Sequence, residues 1–465
     1  MTGAPLISGI SGIRGIAGES FTGEVVGRYA AAFAVSLEPG APVVLGRDTR
    51  PSGAGFAAAA SEALVEAGCR VVDCGVCSTP AAKLMVTELG AAGGIAVTAS
   101  HNPAPWNGLK LIRSDGVFLN AGQAAEVEDR FGAGESRRLP GGAETSLDSA
   151  TVCELHADRV LGQVDAPSIR EATLRVAVDP CNGAGCLELP LLLERLGVEA
   201  GFINAVPDGN FAHEPEPLPA NLGQLGEAVR EQGADLGFAV DPDADRVALV
   251  GPDGVPLGED YTLALAVAGI TARRPGPVVT TLSTSQIVSD AAGLNGCPVT
   301  LTAVGEVHVV EKMFEAGAAI GGEGNGGVIL TEVCPGRDAA AAVAVVLEAL
   351  AVSGSSLPEL AASLPAYAIE KRKLACSPVQ LQGAVGALRN RYPAAWAHPV
   401  ADGVKLYMEG VLSCPWIHLR ASNTEPVVRV IAEAETQAEA KALCDEAESL
   451  LGESGKLPAG QGETV

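Results

Sequence analysis

Aromatic side chains supply only 4% of the 465 residues, so any core must close through alanine, glycine and branched aliphatics rather than around large rings. Positive charge is scarce as well. The 31 Lys and Arg stand against 56 Asp and Glu, a formal balance of −25, which argues against nucleic acid or an anionic membrane surface as a partner. A phosphorylated small molecule is not excluded, because a site can be locally positive inside an acidic protein. No stretch approaches the roughly 18 uncharged apolar residues of a membrane span. The longest apolar run, residues 339–350, is alanine-rich, contains Glu348 and reads as a buried helix. No basic-then-apolar signal sequence opens the chain, and the eleven cysteines form no regular framework, so reduced thiols in a cytoplasmic protein are expected. Cys74-Gly75-Val76-Cys77 has the spacing of half a zinc or redox site, but no second pair answers it; core and turn cysteines are the expectation.

What the chain does have is concentrated in two stretches. In residues 94–110 an apolar run, Ile95-Ala96-Val97, leads into Thr98-Ala99-Ser100-His101-Asn102-Pro103 and a second proline, so a strand must end near residues 98–100. A hydroxyl, an imidazole and an amide then sit at the mouth of a sheet, with Lys110 ten residues after the serine; an ordinary Ser-Asn-Pro turn is the alternative. In residues 236–250 two apolar runs flank Asp241-Pro242-Asp243-Ala244-Asp245-Arg246. Three carboxylates in five residues repel one another unless a cation sits among them, and hard oxygen donors suit Mg²⁺. A solvated acidic turn explains the charges less well, because unpaired carboxylates at the end of a buried strand are costly.

The length allows two to four domains. A unit of strand, polar turn, helix and strand occurs three times: residues 42–46, 47–53, 54–67 and 69–74; residues 174–179, 180–185, 187–196 and 199–203; and residues 277–281, 283–285, 286–293 and 298–302. Spacings of roughly 100–130 residues fit three α/β domains of similar plan rather than a solenoid. Polar stretches at 141–145, 254–257 and 366–374 place boundaries giving domains at 1–145, 146–255, 256–366 and 367–453, with a tail at 454–465. Asp253-Gly254 reads as a hairpin turn. The last domain shows alternating strands near 416–420 and 427–431 and a charged helix near 436–451, an α+β pattern. Residues 6–18 read as a glycine-rich loop whose backbone admits phosphate, with Arg14 as a planar donor fork. Arg420, Ser422, Asn423, Thr424 and Arg429 form a hydroxyl- and amide-rich turn with flanking cations, a combination suited to phosphate. Gly321-Gly322-Glu323-Gly324-Asn325-Gly326-Gly327 is a flexible turn in which Glu323 and Asn325 have the chemistry to bind sugar hydroxyls.

Together these stretches resemble the α-D-phosphohexomutase family, which includes phosphoglucomutases, phosphomannomutases and phosphoglucosamine mutases. The resemblance extends over nearly the whole chain. It implies three similar mixed-sheet α/β domains and a smaller α+β fourth domain around a central cleft. It implies that Ser100 is carried as phosphoserine, that Mg²⁺ is held by Asp241, Asp243, Asp245 and a phosphoserine oxygen, and that Arg14, His101, Lys110 and Arg246 line the reaction centre. Arg420, Ser422, Asn423, Thr424 and Arg429 correspond to the loop gripping the non-reacting phosphate. Glu306, in Val304-Gly305-Glu306-Val307-His308, falls in the loop before a helix that helps select the sugar. The family often shows Gly-Glu-x-Ser-Gly-His where this chain keeps Glu323 but has Asn325 for serine and Gly327 for histidine. That form resembles a phosphoglucosamine mutase-like subgroup.

The implied reaction interconverts a hexose or hexosamine 6-phosphate and its 1-phosphate through a hexose 1,6-bisphosphate, which also serves as activator, in a monomer or homodimer. A phosphomannomutase/phosphoglucomutase is the alternative within the family. A serine hydrolase lacks its nucleophile elbow here, and a sugar-phosphate-binding module without catalysis would bind ligand but form no phosphoserine.

Overall fold

Each of the three strand–turn–helix–strand units builds the parallel part of its own sheet in the computed structural model, which describes residues 5–9, 12–375, 377–400, 402–421 and 427–453. In the first, Pro42–Arg47 runs parallel to Arg70–Val76 and to Gly93–Val97, and Trp106–Arg113 returns antiparallel to Gly93–Val97. In the second, Arg175–Asp179 is parallel to Glu199–Phe202 and to Leu236–Val240, with Val247–Val250 antiparallel to the last. In the third, Val278–Thr281 is parallel to Val299–Thr302 and Ile320–Glu323, and Gly327–Leu330 returns antiparallel. A fourth sheet, antiparallel throughout, carries Ala368–Ala375, Val427–Ala434, Trp416–Ala421, Val404–Tyr407 and Trp396–Ala397 in that order. The architecture is three similar mixed-sheet α/β domains and a smaller α+β domain around a cleft.

This plan has a direct consequence for the site. The serine loop, the aspartate loop and the Glu323-Asn325 loop each follow the third parallel-running strand of their sheet and precede its antiparallel partner. They therefore leave equivalent edges, outside the carboxyl ends of parallel strands, where open α/β sheets bind ligands. The second run ends at Val240, where Asp241 and Pro242 can no longer extend a ladder. The third stops at Gly324 and turns through Gly326, whose φ of +84° favours glycine and whose missing Cβ lets it approach the Val247 carbonyl. The Gly326 carbonyl accepts from Val247 N at 3.1 Å, knitting the second sheet to the third just beyond the aspartates.

The second and third domains share one apolar core, in which Phe238 and Leu249 pack in the same cluster as Leu263, Ile320 and helix Ala339–Ser353. That helix is the long apolar run expected to be buried. Residues 339–350 are all buried, and Asp338 caps its first turn by accepting from Ala341 N at 3.0 Å. Its alanines bury area while letting neighbouring elements approach closely, which is how a core with few aromatic rings still closes. The first domain joins through Met85 and Val86 packed with Val307 and Met313. The fourth leans on the third through a smaller patch of Leu282 and Leu301 against Tyr407, Trp416 and Ile431. Among the described residues no helix is long and apolar enough to cross a membrane, and the described cysteines, Cys74 and Cys77 among them, are free.

Two sequence expectations change. Residues 6–18 are not all loop: Ile7–Gly9 and Gly12–Ile16 are strands paired antiparallel, and the second also pairs with Trp106–Arg113. Glycine weakens strand patterning, but the pairing needs Gly12 itself, whose Cβ would collide with the Leu109 carbonyl. The polar stretch at 141–145 is also not a plain linker. Ala143–Ser146 adds a parallel edge strand beside Arg70–Val76, so the first sheet extends to Ser146. All four of its residues are exposed, which erases the alternation that marks a strand in sequence.

Candidate active site

The three loops and the fourth sheet meet in one cleft of about 420 Å³, lined by Arg14, Ser100, Arg246, Glu323, Arg420 and Arg429 among others. Ser100 lies at φ +50°, a left-handed conformation that costs a non-glycine residue about 1–2 kcal/mol. Two contacts hold it there: Ser100 N donates to Thr98 Oγ1 at 2.9 Å, and Arg50 Nη2 donates to the Ser100 carbonyl at 2.6 Å. The twist aims the buried hydroxyl across to the second domain, where Oγ donates to Asp241 Oδ2 at 3.1 Å. His101 Nδ1 stands 3.4 Å from the same oxygen.

Arg50 organises this loop, a role sequence reasoning did not assign. Its Nη2 also donates to the Asn102 carbonyl at 2.6 Å, its Nη1 to the carbonyls of Pro103 and Trp106 at 2.8 and 2.9 Å, and its Nε to Asp48 Oδ2 at 3.0 Å. Every guanidinium N–H is thereby used, in a side chain that is 1% exposed. Arg50→Ala is expected to leave Asp48 buried without its cation and the serine loop without its anchor, destabilising by about 3–5 kcal/mol. Turnover of the folded fraction should fall by about 10²-fold through misplacement of Ser100. Denaturant unfolding and kcat on the same preparation check this; an unchanged kcat would mean the loop holds its shape without the arginine.

In the aspartate loop Pro242 excludes a helix and Ala244 turns at φ +52°. Asp241 Oδ1 accepts from the backbone N–H groups of Asp245 and Arg246 at 3.1 Å each. Asp243 Oδ2 accepts from Thr79 Oγ1 and Lys110 Nζ, both at 2.6 Å, and Asp245 Oδ2 from Arg337 Nη2 at 2.6 Å. The second oxygens of Asp243 and Asp245 are buried with no hydrogen-bond partner. One oxygen from each of the three carboxylates lies within 4.8 Å of the others. Orphaned buried carboxylate oxygens converging in this way fit a small hard cation.

Charge coupling follows the geometry. Burial pushes Asp241 well above the usual carboxylate range, with Asp245 and Asp243 adding to it and Arg246 and Lys110 opposing. Burial works in the same direction on Asp245, but Arg337, Lys110 and Arg246 outweigh it and hold that group below the range. Lys110, in the middle of strand Trp106–Arg113, loses solvation, yet Asp243 and Asp245 keep it firmly protonated. Desolvation and the neighbouring Arg246 lower His101, so its imidazole is neutral.

The remaining expected residues fall as follows. Arg14 donates to Asn102 Oδ1 at 3.1 Å, at the side of the serine loop. Arg246 Nε faces Asp241 Oδ2 at 3.3 Å, and its Nη2 is buried without a partner. Glu323 Oε1 accepts from Gly305 N at 3.1 Å and its Oε2 from Arg337 Nη1 at 2.8 Å. Asn325 Oδ1 closes its own turn by accepting from Gly327 N at 3.2 Å. Glu306 is held between Lys83 and Arg337 Nε, so two cations already engage the carboxylate expected to meet the sugar. Arg420 and Arg429 are directly opposed on adjacent antiparallel strands, a like-charge pair that repels unless an anion lies between. Ser422, Asn423 and Thr424 lie outside the described residues, in the connection between those strands.

Besides Arg50, sequence reasoning missed Lys83, Arg337 and Asp402. Asp402 accepts from Arg420 Nε at 3.1 Å and from Val304 N at 2.9 Å, tying the arginine pair to the loop before Glu306. The available signal for Arg337 was its position in Pro335-Gly336-Arg337-Asp338, directly ahead of a buried helix.

Four family models match the chain in order: phosphoglucomutase/phosphomannomutase α/β/α domain I at residues 5–138, domain II at 154–254, domain III at 258–367 and the C-terminal domain at 384–450. A phosphoglucomutase/phosphomannomutase of Thermococcus kodakarensis is 35% identical over 454 residues, 96% of this chain and 98% of its own. A probable phosphoglucosamine mutase of Methanopyrus kandleri is 36% identical, covering 94% of this chain and 96% of its own. The crystal structure of a phosphoglucomutase/phosphomannomutase family protein from Burkholderia thailandensis superposes with a TM-score of 0.83 at 25% identity, over 96% of this chain and 97% of that one. With its four domains matched in sequence and its serine and aspartate loops brought together in one cleft, the chain belongs to the phosphoglucomutase/phosphomannomutase family of α-D-phosphohexomutases.

Proposed function

We propose that this enzyme interconverts glucosamine 6-phosphate and glucosamine 1-phosphate through a phosphoserine at Ser100 and a bisphosphorylated sugar. The observation that carries the reading is the 3.1 Å approach of Ser100 Oγ to an aspartate cluster with two buried oxygens that have no hydrogen-bond partner. In the first half-reaction the bond between phosphorus and Ser100 Oγ breaks as a bond to the free sugar hydroxyl forms. The proton lost by that hydroxyl ends on the released Ser100 Oγ, and the bisphosphorylated sugar turns over in the cleft. Ser100 then recovers the other phosphate.

Asp241, Asp243 and Asp245 would hold Mg²⁺, which when bound neutralises charge at the transferring phosphoryl oxygens. Arg246 offers its unpartnered Nη2 to the same group. His101 Nδ1, 3.4 Å from Ser100 Oγ, would orient that oxygen as a neutral partner. Lys110, held as an ammonium, suits positioning or proton donation. The opposed Arg420 and Arg429, with Ser422, Asn423 and Thr424 in the connection between their strands, would grip whichever phosphate is not reacting. One distal anion site then serves both orientations of the sugar. Arg14 would steady the serine loop through Asn102.

Glu323 and Glu306 favour the amino sugar, since a 2-ammonium finds carboxylates in the cleft. The specific observation favouring a phosphomannomutase/phosphoglucomutase instead is that Arg337 and Lys83 already neutralise both. Limiting concentrations of glucosamine, mannose and glucose 1-phosphates, assayed in parallel with glucose 1,6-bisphosphate present, decide between them. The glucosamine substrate should show the highest kcat/KM, by about tenfold if one charge pair discriminates. A higher value for mannose or glucose would transfer the assignment.

A further inference from the structure

Arg337 stands where three loops meet. Its Nη2 donates to Asp245 Oδ2 at 2.6 Å, its Nη1 to Glu323 Oε2 at 2.8 Å, and its Nε faces Glu306 Oε2 at 3.1 Å. The backbone beneath is pinned: Arg337 bridges Ile329, and Asp338 N donates to the Val328 carbonyl at 2.9 Å. The side chain runs past Gly327, where an added Cβ would lie 2.3 Å from Arg337 Cδ and 2.9 Å from Cγ. Asn325 Oδ1 would lie at 3.1 Å, so the arginine stem makes the closest contacts and is the main reason glycine stands at 327.

We infer that Arg337 is a positioning residue that couples the two halves of the reaction site, fixing the sugar-facing Glu323 while neutralising the metal-facing Asp245, and that Gly327 is its obligatory steric partner. It replaces side-chain volume at 327 with a charge delivered from the helix entrance. Fixed this way, Glu323 presents its remaining lone pairs in one orientation, and Asp245 keeps its other oxygen turned inward. A cation on the outer oxygen of a metal-binding carboxylate competes electrostatically with the metal and favours an anionic substrate. Removing it should therefore, on electrostatic grounds, tighten the metal and weaken the sugar phosphate. A residue needed only for packing would weaken both.

The inference rests on the mutase reading only for its substrate arm. Turnover by the unsubstituted enzyme tests that reading, whereas Mg²⁺ titration followed by thermal shift tests Arg337 without any turnover. For Arg337→Ala in the full chain we expect the Mg²⁺ midpoint to fall by about threefold or more, and KM for glucose 1-phosphate to rise by about tenfold or more. Arg337→Lys should return the Mg²⁺ midpoint towards that of the native chain while leaving KM raised, because lysine keeps the charge but lacks the fork joining Asp245 to Glu323. Gly327→Ala alone should impair KM by displacing the guanidinium, and Gly327→Ala combined with Arg337→Ala should be no worse than Arg337→Ala. Weaker Mg²⁺ binding in Arg337→Ala, an unchanged KM, or additive losses in the double variant would each overturn the inference. If Arg337→Ala does not fold, the lysine variant and Gly327→Ala decide: native KM in both overturns it.

Discussion

Ser100→Ala should abolish mutase turnover, by about 10⁴-fold or more, while the cleft still binds hexose phosphate. The hydroxyl is small and its loop is held by other atoms. Arg50 bonds to backbone carbonyls, and Thr98 Oγ1 accepts from the backbone N–H of residue 100, so none of these contacts needs the seryl oxygen. Alanine in a left-handed conformation carries the same backbone strain as serine, so the fold should survive with little change. What disappears is the hydroxyl beside Asp241 that the proposed mechanism needs to accept and return phosphate. The decisive measurement pairs kcat with intact mass after exposure to glucose 1,6-bisphosphate. The native chain should gain one phosphate that maps to Ser100, and the alanine variant none. Residual turnover within tenfold of native, or phosphate on another residue, would remove Ser100 from the mechanism.

The features of this site that could be read from sequence are those written into neighbouring residues. Ser100 and the three aspartates were legible because each loop follows a recognisable strand and ends it with proline, and because clustered carboxylates state their chemistry locally. Arg50 falls within the polar turn at residues 47–53, but its function lies in a contact with a carbonyl fifty residues on, and Arg337 reaches an aspartate 92 residues back. Guanidinium groups that satisfy distant carbonyls or carboxylates leave no periodicity to detect. The same distinction separates elements of the fold. Helix Gln286–Gly293 follows its own apolar face and a serine cap, so it was legible to the residue. The N-terminal strand pair was not, since Gly12 is chosen by the strand it lies against rather than by its own propensity. Lys110 was tied to the serine by sequence distance, yet it reaches Asp243 because it sits in the antiparallel return strand and points across the domain boundary.

Removing the divalent cation should be the next most damaging change after removing the serine, and it tests a different part of the site. Three cations, Lys110, Arg246 and Arg337, face the three aspartates, so with all three carboxylates ionised the cluster is formally neutral before any ion binds. That balance leaves Asp243 Oδ1 and Asp245 Oδ1 buried and unsatisfied, a penalty of about 1–3 kcal/mol each that a bound ion would relieve. A divalent ion would bring the cluster to about +2, which a phosphoserine of about −2 would cancel. The phosphorylated enzyme should therefore bind Mg²⁺ more tightly than the dephosphorylated one. Chelation and dialysis should reduce turnover by about 10³-fold or more, with recovery on adding Mg²⁺. At a hundredfold excess over its dissociation constant, Mg²⁺ should stabilise the folded chain by about 2.7 kcal/mol. Asp243→Asn keeps an acceptor for Thr79 and Lys110 but loses the anionic inner oxygen, so it should fold and lose the Mg²⁺ response together with turnover. A chelated, dialysed enzyme working at its full rate, or an Asp243→Asn variant stabilised by Mg²⁺ as strongly as the native chain, would show that these oxygens hold no catalytic ion.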